Sequence, residues 1–350
     1  LETKEFLIQM NKVPHVSAYE DELTQLISAE FSKYAKVSVD KFGNLIANKP
    51  GSLSNGPKIM LSAHMDEIGM MVSTLCDNGF VKFARVGGIN PKNILGQEVI
   101  IHGRQSGKKI YGVIGIKPPH LTSQEDRKKI IEISDMAIDT GYSKEKLEGM
   151  VKPGDIITFK QDLVELQNGK ISGRALDNTA GLAVLYCVMK NLENFNHKAD
   201  IYFVASAQEE VGLKGAITAA YNIKPDIGIA IDVTFGSGGG VPEKDSSKLG
   251  KGAALCVGPN INRKLFDSLK KAAVKNNTKY QVEVEAMMTG TDAAAIQISE
   301  GGVITALVSI PLDYMHSTVE VVSLSDIESC GKIISDYIIE LKDWEAELCY

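Results

Sequence analysis

The stretch DIYFVASAQEEVGLKG, residues 200–215, decides how this chain folds. Ile201, Phe203, Val204 and Ala205 make an apolar run of strand length, and Val211-Gly212 then turns the chain into a helical pattern over 213–221. A buried strand leading through a turn into a helix is a unit of an open α/β sheet, and such sheets present ligands at the carboxyl ends of their strands. Glu209 and Glu210 fall at that edge. Adjacent carboxylates repel one another unless a cation or a shared proton relieves them. The plain alternative is an exposed acidic turn.

The pattern recurs on both sides. KIMLSA, 58–63, is an apolar strand that ends at His64, Met65, Asp66 and Glu67. PDIGIAIDVT, 225–234, carries Asp232 at its far end, and the strand at 303–310 leads to Tyr314, Met315, His316 and Ser317. Asp177 precedes the apolar helix GLAVLYCVMKNL, a place that capping and the helix dipole would favour on their own. Ser17 and Glu20 form a capping-box pattern ahead of an amphipathic helix running to 34. A hairpin turns at Gly43-Asn44 and another at Asn168-Gly169. Helices are expected over 263–275 and 325–345, a strand over 282–286, and a Thr291-Asp292 cap before AAAIQIS.

Between 70 and 159 the texture changes to short alternating strands with glycine turns. GMMVSTL and FVKFARV flank Asp77-Asn78-Gly79, while QEVIIHGR and KIYGVIGI flank 105–108 as hairpin partners. A charged helical excursion is expected near 126–136. The fold class is therefore α/β: a mixed, mostly parallel sheet flanked by helices, with an inserted small β-barrel domain. The catalytic domain is then discontinuous, 1–69 plus 165–350, and the insert spans 70–164.

Composition narrows the function. A chain of 350 residues suits two domains, and 44% hydrophobic with 23% charged residues is ordinary for a soluble globular protein. A net charge of −6 with no basic run argues against a nucleic-acid surface, and no apolar run is long enough for a membrane span. The five cysteines are scattered and never in CxxC spacing, which fits reduced thiols in a cytoplasmic protein. The glycine-rich segment GSGGGVPEKDSSKLGKG, 236–252, lacks the GxxxxGK[ST] order of a phosphate loop and reads better as a flexible rim beside a site.

The polar residues that end apolar strands or open helices are His64, Asp66, Asp177, Glu209, Glu210, Asp232 and His316. Singly, each has a bland reading as core histidine, helix cap or solvated carboxylate. Jointly, two imidazoles and three or four carboxylates are the ligand set for two divalent metals bridged by one carboxylate, about 3.5 to 4 Å apart. Mixed nitrogen and oxygen donors favour zinc, with cobalt or manganese as alternatives. One carboxylate is left over as a general base, and the residues alone do not separate Glu209 from Glu210 in that role.

SAHMDEIGMMV, GRALDNTAGLAVL, SAQEEVGLKGA, AIDVT and YMHSTVEVVSLSDIE together resemble the dinuclear metallo-aminopeptidases that include the tetrahedral aminopeptidases and the glutamyl and deblocking aminopeptidases. Some members carry the label cellulase or endoglucanase. The resemblance runs over nearly the whole chain, including KPPHL at 117–121. It implies that His64 and Asp232 hold one metal, Glu210 and His316 the other, and Asp177 bridges them. It makes Glu209 the base and Asp66 the acceptor of the second N–H of His64. It also implies two zinc or cobalt ions per subunit, hydrolysis of N-terminal residues from short peptides by a water bridging the metals, and an insert that dimerises the chain within homo-oligomers up to a tetrahedral dodecamer.

The nearest rival is a metal-dependent deacylase or carboxypeptidase with the same ligand set. A glycosidase needs two carboxylates flanking a sugar and usually aromatic platforms. With 6% aromatics and Trp344 as the sole tryptophan, this chain is poorly equipped for one. A non-enzymatic binding module would have lost the base or a ligand, and all are present.

Overall fold

The computed structural model describes residues 1–115, 120, 131–342, 344 and 348. Helices α1 (Thr3–Asn11) and α2 (Asp21–Phe31) precede the hairpin β1 (Lys36–Val39) and β2 (Leu45–Lys49) and the buried strand β3 (Lys58–His64). The chain then makes β4 (Gly69–Leu75), β5 (Val81–Val86), α3 (Pro91–Ile94), β6 (Glu98–Gly103), β7 (Lys108–Ile114), β8 (Ile138–Asp139), α4 (Lys144–Glu148) and β9 (Ile156–Phe159). It continues with the hairpin β10 (Val164–Leu166) and β11 (Lys170–Gly173), then α5 (Leu176–Asn191), β12 (Asp200–Ser206), α6 (Lys214–Ile223) and β13 (Ile227–Phe235). It ends with β14 (Ala253–Val257), α7 (Arg263–Lys275), β15 (Tyr280–Val284), α8 (Asp292–Gln297), β16 (Ile304–Asp313), β17 (Glu320–Ser323) and α9 (Leu324–Glu340).

Eleven strands form one mixed sheet in the order β1-β2-β12-β3-β13-β16-β17-β11-β10, with β14 pairing β16 and β15 joining β14. The central strands β12, β3, β13 and β16 run parallel, and the register sets Ser206 beside His64 and Asp232 beside Ser309. Parallel neighbours are buried on both faces, which is why β3, β12 and β13 read as continuous apolar runs. Parallel order stops at the margins. Tight turns at Gly43-Asn44 and Asn168-Gly169 can only return the chain antiparallel, as β1-β2 and β10-β11 do.

Strands β4 to β9 close into an antiparallel barrel in the order β4-β5-β8-β7-β6-β9, and both hairpins expected within it form. Its core, around Val99, Ile101, Ile138 and Ile157, is separate from the larger cluster under the sheet. Closure between β5 and β8 rests on the single pair Val81–Ile138. Helix α5 is buried from Leu176 to Met189 and packs against α1, α9, β3 and β13, so the segment that carries Asp177 is anchored in the main core.

Several local expectations change. Ser17 does not cap α2; its hydroxyl donates to Asp66 Oδ2 at 2.5 Å, while Glu20 accepts from the amides of Ala18 and Gln208. A buried carboxylate distant in sequence outcompetes the local backbone for that hydroxyl. The strand at 303–310 extends to Asp313 and is followed by β17, which the apolar pattern alone did not suggest. The glycine-rich segment is pinned by carboxylates of the chain itself: the amide of Gly238 donates to Asp313, and those of Gly250 and Gly252 donate to Asp326. Residues 126–130 of the expected excursion, most of KPPHL and Cys349 lie outside the described residues; 131–136 hold only a short 3₁₀ turn at Ile133–Asp135, and the closing helix, expected to 345, ends at Glu340 with Leu341 extended. No described helix is long and apolar enough to cross a membrane.

Candidate active site

The turn after β12 is built to present two glutamates. Gln208 and Leu213 take positive φ of 57° each and Gly212 one of 119°, folding residues 207–215 back on themselves. Buried Asn44 locks the fold-back: its Oδ1 accepts from the Ala207 amide at 3.0 Å and its Nδ2 donates to the Gly215 carbonyl at 3.1 Å. A Cβ on Gly215 would lie 2.4 Å from Asn44 Oδ1, so glycine alone fits. Asp66 then aims the pair, because its carboxylate accepts from the amides of Glu209 at 2.8 Å and Glu210 at 3.2 Å. Asp66 was expected to receive the second N–H of His64. Its backbone carbonyl, at 3.0 Å from His64 Nδ1, is the nearer acceptor; its carboxylate lies at 3.6 Å.

Asp177, in the non-helical first turn of α5, lies between the two histidines. Its Oδ1 is 3.1 Å from His64 Nε2 and its Oδ2 is 3.2 Å from His316 Nε2. Asp232 Oδ1 lies 3.7 Å from His64 Nε2, and Glu210 Oε1 lies 3.2 Å from His316 Nε2. Glu209 Oε2 stands farther off, 4.0 Å from His64 Nε2. The ligand atoms of His64, Asp177 and Asp232 lie within 4.8 Å of one another, as do those of Asp177, Glu210 and His316. His64, Glu209 and Glu210 form a third such group.

The electrostatics of this cluster are those of a site short of positive charge. Burial pushes the Glu209 carboxyl up to about 10 and Asp232 up to about 6, each partly offset by His64. Hydrogen bonds that the imidazole donates to the Asp177 and Glu210 carboxylates lift His316 to about 11. Burial opposes protonation of His64, but Glu209, Asp177 and Asp232 outweigh it and raise its pKa. Burial would likewise raise Asp177, yet His316 and His64 hold it below the usual carboxylate range. Protons are thus retained where divalent cations would replace them, and the mixed nitrogen and oxygen donors fit such ions.

Two supports went unnoticed in the sequence. Glu320, buried at the start of β17, accepts from the Asp177 amide at 3.1 Å and from the His316 amide at 2.9 Å, so one carboxylate positions both residues. The signal was available, since Glu320 opens the apolar run EVVS just as His64 closes KIMLSA. The second support comes from the barrel. The carbonyl of Gly88 lies 3.2 Å from His316 Nδ1, and no local pattern foretells that contact.

All six inward-facing residues line one cavity of about 540 Å³, which continues past Asp232 toward Phe235, Glu283, Glu285, Met288 and Met315. The sequence profile of the M42 glutamyl aminopeptidases matches residues 43–333. The chain belongs to that family. As an M42 peptidase it is a hydrolase of the aminopeptidase class. A lysyl aminopeptidase of Pyrococcus furiosus is 36% identical over 97% of both chains. Among solved structures, an aminopeptidase from the archaeon Desulfurococcus kamchatkensis superposes with a TM-score of 0.92 at 34% identity, covering 99% of this chain and 98% of its own. A TET1 peptidase of Pyrococcus horikoshii, described as assembling into a tetrahedron or a large octahedral shell, superposes with a TM-score of 0.85 at 34% identity, covering 97% of this chain and all of its own.

Proposed function

We propose that this M42 peptidase uses two divalent metal ions, zinc or cobalt, to release N-terminal residues from short peptides. The observation that carries the proposal is Asp177, whose two oxygens turn to two different imidazoles 3.1 and 3.2 Å away. In this reading His64 and Asp232 hold one ion, His316 and Glu210 hold the other, and Asp177 is shared. Bound there, the pair supplies an acidified water and stabilisation of the oxyanion that develops on the scissile carbonyl.

The chain's own groups do the rest. Glu209 takes the proton from the attacking water and hands it to the departing amine. At 4.0 Å from His64 Nε2 it stands farther off than Asp177 or Asp232, which supports a role in that exchange rather than as a ligand. Asp66 keeps Glu209 and Glu210 side by side through their amides. The acidic lining attracts a free α-amine, which directs cleavage to the N-terminal bond.

The barrel, 70–164, is proposed as a dimerisation domain, and we extend the higher assemblies of the TET1 relative to this chain as a homo-oligomer in the cytoplasm. The names of the family and of its lysyl relative differ in the residue they remove, so they do not choose the side chain for this enzyme.

The test is chelation followed by zinc or cobalt add-back, with release measured from aminoacyl anilides and from their N-acetylated forms. Activity should return with metal and only on free amines. Cleavage that survives chelation, or equal cleavage of blocked substrates, overturns the reading.

A further inference from the structure

Between β15 and α8 the chain runs from 285 to 291 without helix or strand, and Glu285, Met288, Thr289, Gly290 and Thr291 all line the cavity. Among the described residues, 288–290 make no hydrogen bond; Met288 is 73% exposed, so packing does not fix it, and the buried Thr289 hydroxyl has no partner. On the β15 side the segment is held by the Glu285 amide, which donates to the Val257 carbonyl at 3.0 Å, and by Asn260 Nδ2, which donates to the Met287 carbonyl at 2.6 Å. Neither partner lies on a strand that carries a candidate ligand. At the other end stands Asp292, a buried carboxylate that the chemistry above does not use. Its Oδ2 accepts from Ser62 Oγ at 2.7 Å and from Ser206 Oγ at 2.6 Å. Ser62 is two before His64 on β3, and the parallel register sets Ser206 of β12 beside His64, so both hydroxyls share a sheet face with that imidazole. The ladder between β3 and β12 already fixes those strands against each other. What the carboxylate adds is an attachment of the cavity segment to the strand that carries His64 and to the strand that leads to Glu209.

We infer that Asp292 is a positioning residue: by clamping Ser62 and Ser206 it sets how far the segment 288–291 stands from the reacting centre, and so how well a large N-terminal side chain is used. The inference rests on the aminopeptidase reading for what occupies the cavity. A substrate residue held at the ligand cluster has the rest of the 540 Å³ for its side chain, bounded on one side by this segment. A large apolar side chain draws on contact with that boundary, whereas a methyl group draws on little of it. A boundary free to drift therefore costs a leucyl substrate more than an alanyl one. Asparagine in place of Asp292 keeps a carbonyl oxygen with two lone pairs, enough to accept both hydroxyls. Alanine keeps neither bond.

The experiment has two arms on the metal-saturated enzyme. Leucyl and alanyl anilides are compared by kcat/KM in the native chain, Asp292→Ala, Asp292→Asn and Ser206→Ala. The leucyl-to-alanyl ratio cancels any loss of folded enzyme, so a merely structural role would leave it unmoved. It should fall about tenfold in Asp292→Ala and stay within about twofold of native in Asp292→Asn. Ser206→Ala, which removes one of the two bonds, should fall between them and carries the comparison if Asp292→Ala does not fold. Independently, amide hydrogen exchange over 286–291 should quicken in Asp292→Ala and not in Asp292→Asn. An unmoved ratio in Asp292→Ala, or an equal loss in Asp292→Asn, overturns the inference while the aminopeptidase reading stands. If the native chain cleaves neither anilide, the aminopeptidase reading falls, and exchange then decides the attachment by itself: a rate over 286–291 no faster in Asp292→Ala than in the native chain overturns it.

Discussion

Gly88 and His316 are 228 positions apart, yet a Cβ built on Gly88 would sit 2.6 Å from the Nδ1 of His316. The barrel therefore abuts an imidazole carried by the sheet, and the Gly88 carbonyl is placed to accept its Nδ1–H, leaving Nε2 for a cation. Gly88 has no unusual φ, so alanine there is a steric change alone. Gly88→Ala should fold normally and lose roughly tenfold to 100-fold in cation affinity through the displaced ring. Gly115→Ala, with nothing within 4 Å of its new methyl, is the control. Metal titration of both variants checks it, and equal affinities would remove the barrel from the site.

Glu209 and Asp177 should separate when each is replaced. Glu209→Gln removes a proton acceptor without removing a proposed ligand, so metal content should stay while turnover falls by about 10² to 10⁴. Asp177→Ala removes the shared carboxylate and should deplete both ions. Elemental analysis beside anilide turnover reads the two outcomes. Near-normal turnover in Glu209→Gln, or full metal content in Asp177→Ala, contradicts the assignment.

What could be read in advance follows from which interactions are local. Strands β3, β12 and β13 were legible because both faces are buried and their apolar runs stop at ionisable groups. The hairpins were legible because Asn168-Gly169 and 77–79 dictate their turns. Ser17 was misread as a cap because its true partner, Asp66, is 49 positions away. The pairings of Glu320 with Asp177, Gly88 with His316 and Thr234 with Glu283 all span 49 positions or more. Patterns of period 2 or 3.6 carry no information at that range. The family resemblance implies roles for Glu209 and Glu210 that spacing cannot, and the two differ in geometry, with Glu210 3.2 Å from His316 and Glu209 4.0 Å from His64.

Glu20 links pH to stability. Burial and the nearby Asp66 charge raise its carboxyl to about 7, above its ordinary 4.5. Between those values the folded chain holds a proton that the unfolded chain has released, so stability falls as pH rises through the window. The full shift corresponds to about 3 kcal/mol. Glu20→Gln keeps an acceptor for the amides of Ala18 and Gln208 but cannot ionise. With metal saturating, urea unfolding at pH 5 and pH 8 should show the variant losing less stability over that interval than the native chain. Parallel losses would mean that Glu20 does not titrate there.

Arg174 and Glu67 form an ion pair buried where the N-terminal segment meets the loops of His64 and Asp177. The guanidinium also donates to the carbonyls of Asn11 at 2.5 Å and Val13 at 3.3 Å, and Glu67 accepts from the His15 amide. Such a pair is costly to desolvate, and its net contribution is small until one partner is lost. Arg174→Met should then destabilise the fold by about 3 to 5 kcal/mol, since Glu67 is left buried without its guanidinium countercharge. Adding Glu67→Gln removes the stranded charge and should restore part of that loss. A double variant no more stable than Arg174→Met would show that the penalty lies in the lost backbone contacts of the guanidinium, not in the charge of Glu67.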